Sequence, residues 1–198
     1  PPYPTVRTDA GEVLYDAAEI KEGQRAWLAT GGQQLGSVWG HGSYVAPDWS
    51  ADWLHREAIA YRDIVSAKMY GGTYDRLQLF ERGAVDAVVR DDMRRNTYDA
   101  ERNTVTVGAE RAAAMLKVQQ HYTSLFGTDP AFDKLREQYA MSTDALPRAE
   151  DRKALAGFFF WSSWAASTDR PGEKGLSYTS NWPHEPLVRN TLTSGAAM

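Results

Sequence analysis

The sequence predicts a mainly α-helical domain carrying an inserted helical segment and one small β-hairpin. Two observations lead to that class. Apolar side chains recur at helical spacing in six stretches, whose ends fall on glycine, proline or a capping Asp or Ser. The best hairpin signal lies at 96–99 and 104–107, on either side of the polar connection Ala100-Glu101-Arg102-Asn103. A chain of 198 residues, 42% hydrophobic and 24% charged, is long enough to bury a core as one domain with an insertion.

Residues 1–12 hold three prolines and mixed polar residues, which suits an extended linker rather than an element. The first helix is expected over 16–30. Asp16 is its candidate N-cap, Gly31-Gly32 lie past its end, and Ala17, Ile20, Trp27 and Leu28 are its apolar positions. Gly23 inside that helix costs about 1 kcal/mol relative to Ala, which points to a close neighbour. The stretch 31–48 is rich in glycine yet carries Trp39, Tyr44 and Val45, as a loop folded back on a core does.

A second helix, capped by Ser50, is expected to run to about Tyr70, with Asp52 in its first turn and Gly71-Gly72 after it. The third, from about Tyr74 to Arg95, is expected to turn Leu77, Phe80, Ala84, Val88 and Val89 inward. A fourth, over 109–126, places Met115, Val118, Tyr122 and Leu125 on one face. After Gly127-Thr128-Asp129-Pro130 a short fifth helix is expected over 131–139. Pro147 is the candidate first residue of the sixth, which carries the run Leu155 to Ala166. That run is apolar on every side but too short to cross a bilayer, so it is either wholly buried or offers aromatic surface to a partner. The tail 176–186 reads as rigid and irregular. The resulting organisation is a linker at 1–12, one domain at 13–186 with an insertion at about 54–107, and a lead-out at 187–198.

The formal net charge is -4 with acids and bases interleaved, so no basic face is offered to nucleic acid. The absence of cysteine rules out disulfides, zinc-thiolate sites, iron-sulfur clusters and thioether-linked haem. A chain opening on Pro-Pro-Tyr-Pro reads as a processed product or a piece of something longer. No nucleophile elbow, Walker loop, zinc-protease motif or EF-hand spacing is present, and His41, His55, His121 and His184 are scattered. Two aromatic regions stand out, the loop at 31–48 and the segment 158–182. Each suits core packing or an interface.

A helix running into a Gly-rich loop and a Pro-Asp exit resembles the opening of a c-type cytochrome. On that alignment Gly32, Leu35 and Gly36 occupy the places of the two thioether cysteines and the axial histidine. Residues 32–57 closely resemble the extracytoplasmic segment of the single-chain, quinol-dependent nitric oxide reductases. The motif Phe-Phe-Trp-Ser-Ser-Trp-Ala-Ala-Ser-Thr-Asp-Arg-Pro-Gly at 159–172 and Tyr-Thr-Ser-Asn-Trp-Pro-His-Glu-Pro at 178–186 resemble the same family.

The resemblance implies a haem-free, cytochrome c-like domain on the extracytoplasmic, periplasmic face. Membrane helices on either side would join it to a catalytic membrane portion of the same polypeptide. That portion would hold two haem b groups and a non-haem iron and reduce two nitric oxide molecules to nitrous oxide and water with electrons from quinol. No soluble cytochrome donor is expected, nor any catalytic residue or cofactor in this segment. Gly42 and Tyr44 match a loop that helps hold a structural calcium in haem-bearing relatives, the remaining ligands coming from the membrane portion. Trp39, His41, Phe159, Trp161, Trp164 and Trp182 are the expected interface residues. The alternatives are a free-standing extracytoplasmic ligand- or protein-binding module, and a noncovalent haem protein using His41 or His55.

Overall fold

In the computed structural model, which describes residues 1–40 and 45–180, the polypeptide winds around one helix. That helix is α6 (Ala149–Ser167), in which every residue of 154–165 is buried. Around it pack α1 (Ala17–Ala29), α2 (Trp49–Tyr70) and α4 (Ala109–Leu125); α3 (Leu79–Arg94) lies against α2, and α5 (Asp133–Gln138) follows α4. Of the two readings left open for the apolar run, burial within the chain is the one observed. The main core joins Ile20, Trp27, Trp49, Trp53, Tyr122, Phe126 and the α6 aromatics, each large side chain contributing about 1.5–3 kcal/mol by leaving water.

The caps explain where the helices begin. Asp16 accepts the backbone N–H groups of Ala18 and Glu19, and the Glu19 carboxylate accepts that of Asp16, a reciprocal capping box. The N-cap of α2 is Asp48, not Ser50: its carboxylate takes the Ala51 N–H at 3.0 Å, while Ser50 lies inside the helix. Helix α6 likewise starts two residues after Pro147, with Arg148 as its N-cap. Gly23 meets the close neighbour expected of it: a Cβ there would stand 2.0 Å from the Ala154 carbonyl oxygen. The third helix differs in phase. A 3-10 turn at Tyr74–Arg76 and an extended Leu77 and Gln78 delay its start to Leu79. Val85, Val89 and Met93 therefore face inward, with Leu77 buried ahead of the helix, while Phe80 and Val88 are exposed. Leu77, Val85, Val89 and Met93 form a smaller second core with Tyr61, Val65 and Ala114.

The expected hairpin is β3 (Tyr98–Asp99) with β4 (Thr104–Val107), antiparallel. It belongs to a larger sheet. β1 (Thr5–Thr8) runs parallel to β4 in the register Thr5 to Thr104, and β2 (Val13–Tyr15) pairs antiparallel with β1, giving the order β2-β1-β4-β3. Residues 1–12 are thus no element-free linker, because Val6, fully buried, anchors β1 in the core. A second hairpin, β5 (Asp169–Arg170) with β6 (Glu173–Ser177), leads into the tail expected over 176–186, of which residues 181–186 lie outside the described residues.

Candidate functional site

The loop after α1 is held by hydrogen bonds that reach across it. Trp27 Nε1 donates to the Gly36 carbonyl at 3.0 Å, Ser37 Oγ to Asp48 Oδ2 at 2.8 Å, and the Trp49 backbone N–H to the Ser37 carbonyl at 2.8 Å. The Gly40 N–H also donates to Asp48 Oδ2. A single aspartate therefore caps α2 and pins the loop on both sides of Trp39. Trp39 itself has φ 62°, the left-handed region that a bulky residue adopts only when its surroundings impose it.

Those surroundings lie on α6 and α2. The Trp39 indole N–H donates to the Ser162 carbonyl at 2.8 Å and its backbone N–H to Ser50 Oγ at 3.2 Å; Ser50 Oγ in turn donates to Ser162 Oγ at 3.0 Å. The Trp39 ring lies 5.3 Å from that of Trp161. Trp161 also holds the N-terminal segment, stacking on Tyr3 at 4.4 Å and donating from Nε1 to the Pro2 carbonyl at 2.7 Å. Lead-in, loop, α2 and α6 thus converge on two indoles. Outside them a groove of about 460 Å³ is lined by Pro1, Trp39, Gly40, Leu54 and Tyr178.

One layer deeper, Trp49 stacks on Phe159 at 5.2 Å and meets Phe126, Tyr122 and Tyr139 edge-on. Gly36 lies directly against this indole: a Cβ there would stand 2.2 Å from Trp49 Nε1. At the far end of α6, Trp164 packs on Tyr178 at 5.1 Å and on Tyr98 at 6.4 Å. Of the expected interface residues, then, Trp39 and Trp161 meet, and Phe159, Trp161 and Trp164 are all buried inside this chain. His41, Gly42, Tyr44 and Trp182 lie outside the described residues.

Sequence reasoning missed Asp48, Ser50 and Ser162 as the polar ties of this region. The available signal was Ser162-Ser163 within an otherwise apolar run, since a buried hydroxyl needs a partner. A polar cluster on the other side of the core was also missed. Tyr122 Oη donates to Asp52 at 2.6 Å, and Arg56 Nε to the same carboxylate oxygen at 2.8 Å. Burial and the Asp52 charge hold the Tyr122 phenol protonated far above its ordinary range. His121, next to it, is pushed down to about 4, by burial first and by the Arg56 charge second. Among the described residues no cluster of three or more His, Asp or Glu could hold a metal ion, and no helix is long and apolar enough to cross a membrane.

The fit to a covalent haem can be judged from the donors. Neither a thiol nor an imidazole stands at Gly32, Leu35 or Gly36, and any side chain at Gly36 would enter the Trp49 ring. The residues present do not fit a thioether-linked haem. Comparison with curated proteins gave no match. The chain does match the family model of the NorB cytochrome c-like domain of nitric oxide reductase, over residues 4–184. A match over nearly the whole length shows the family, and the protein belongs to the NorB cytochrome c-like domains of the nitric oxide reductases.

Proposed function

We propose that this chain is the haem-free outer domain of a quinol-dependent nitric oxide reductase, a structural and interface module rather than an electron carrier. The observation that carries the reading is Gly36 packed against Trp49 in a family-matched chain without cysteine. The space beside the loop is filled by an indole, and the cysteines that would tether a c-type haem are absent from the sequence. Electrons then enter the membrane portion from quinol, bypassing this domain and any soluble cytochrome. The two haem b groups, the non-haem iron and the reduction of nitric oxide belong to that portion, as does the anchoring at the extracytoplasmic face.

The docking surface is the Trp39 region. Trp39 and Pro1 line one groove with Tyr178 and Thr179, so the loop and both ends of the described chain lie at one end of the fold. His41 and Trp182, outside the described residues, are assigned to the interface by the family resemblance alone, and Gly42 and Tyr44 supply two oxygen ligands to a calcium ion completed by the membrane portion. Phe159, Trp161 and Trp164 act from behind, by fixing the elements that carry the surface.

Two measurements test this. An antibody against the domain, used on fractionated cells, is expected to detect a membrane band several times heavier than 22.1 kDa, in membranes that consume nitric oxide with quinol. A soluble band near the mass of this chain overturns the reading. In the parent enzyme, Trp39→Ala is expected to reduce assembly and activity together, and wild-type assembly and activity in that variant reject the docking role.

A further inference from the structure

We propose that the groove between α2, α3 and the β5–β6 hairpin binds a membrane phospholipid, its phosphate on arginines and the start of its acyl chain on the apolar floor. The groove encloses about 660 Å³, within the range of about 300–1,000 Å³ usual for small-molecule sites. Leu54, Ala58 and Ile59 from α2 and Val89 and Met93 from α3 make its floor. Three arginines line it with unused donors. Arg90 and Arg94, one turn apart on α3, make no ion pair or side-chain hydrogen bond among the described residues. Arg62 packs its guanidinium 4.2 Å from the Tyr74 ring centre and stands 4.0 Å from Asp86, leaving its Nε buried without a hydrogen-bond partner.

Two carboxylates share the groove with the three guanidiniums: Asp86, which also accepts the Tyr74 hydroxyl at 2.8 Å, and Asp169, which accepts the Gly175 N–H at 3.1 Å. Arg90 and Arg94, paired with neither, offer an entering anion the planar fork that matches phosphate oxygens. The floor beside them asks for an apolar tail on the same molecule.

The apolar floor and the arginines line one groove, so a single amphiphile places its phosphate on the guanidiniums and the start of its acyl chain on Leu54, Ala58, Ile59, Val89 and Met93. The source of the lipid rests on the function proposed above; the chemistry of the groove does not.

The test titrates the 198-residue chain with dihexanoylphosphatidylglycerol below its micelle concentration, by calorimetry, beside dihexanoylphosphatidylcholine and inorganic phosphate. Saturable binding of the phosphatidylglycerol is expected, weakened at least tenfold by Arg90→Gln with Arg94→Gln and by Ile59→Ser, with helical circular dichroism unchanged. Equal binding of inorganic phosphate, equal binding after the arginine replacements, or no binding overturns the proposal. Lipid binding by a chain whose parent fractionates as soluble would sink the membrane reading and leave the groove's chemistry standing.

Discussion

Gly36 shows how much one absent side chain can decide. The Trp49 indole it touches is wedged by four aromatic neighbours, so an added methyl finds nothing that can give way. Gly36→Ala is expected to destabilise the chain by about 1–3 kcal/mol in urea unfolding; an unchanged midpoint would reject this packing. His121 makes a second prediction. Its native pKa of about 4 lies below the ordinary value near 6.5, so the unfolded chain takes up the proton first. Its contribution is complete above about pH 6.5 and is lost as the pH falls towards 4. His121→Gln is expected to flatten unfolding free energy between those limits. Sequence spacing made Gly23 legible as a close approach, because a glycine within a helix needs a reason. Gly36, in a loop where glycine is ordinary, gave no such sign of its contact with Trp49.

Between elements, the most consequential tie is buried charge. Glu57 of α2 accepts Arg111 Nε of α4 at 2.7 Å and Trp53 Nε1 at 2.8 Å, with the two charged side chains only 1% and 5% exposed. Arg111 also donates to the Asp92 carbonyl of α3 at 3.3 Å, so one carboxylate and one guanidinium join three helices where the two cores meet. Removing one partner leaves the other charge buried and alone. Glu57→Gln is expected to cost about 3–5 kcal/mol, and Glu57→Leu with Arg111→Met to recover most of it. A double mutant as unstable as the single one would reject the pair as the cause. Helix positions were legible from apolar spacing and caps because those are local. The phase of α3 was not, since a 3-10 turn and two extended residues ahead of it shift the whole stripe. Nor was the Glu57–Arg111 pair, whose members are 54 residues apart and each resemble solvated surface charges.

For the molecule as a whole, the helical class and the hairpin could be read from the sequence, and so could the family. The sheet could not. Its first strand has four residues in a proline-rich setting, and its partner β4 begins at Thr104, so no local pattern announces the pairing. Trp39 and Trp161 were named from their motifs; that they meet, and that Phe159, Trp161 and Trp164 are buried, depends on which elements surround α6. The whole-molecule prediction concerns that helix. A chain ending at residue 148 is expected to lack the cooperative unfolding transition of the full chain, since Trp27, Trp49, Trp53 and Tyr122 would lose their common support. Retention of a sharp transition would show a core independent of α6.

The parallel pairing of β1 with β4 also governs the order in which the chain can fold. A polypeptide emerging from its amino end has β1 and α1 available first, yet β1 waits for residues 104–107 and α1 for α6, where Lys153 meets Glu19 across 134 residues. Loop closures that long are slow and cannot be completed piecemeal. The earliest segments to appear are thus the last to be secured. Val6, Trp27 and Trp49 stay open to chaperones and proteases until almost the entire domain has been delivered.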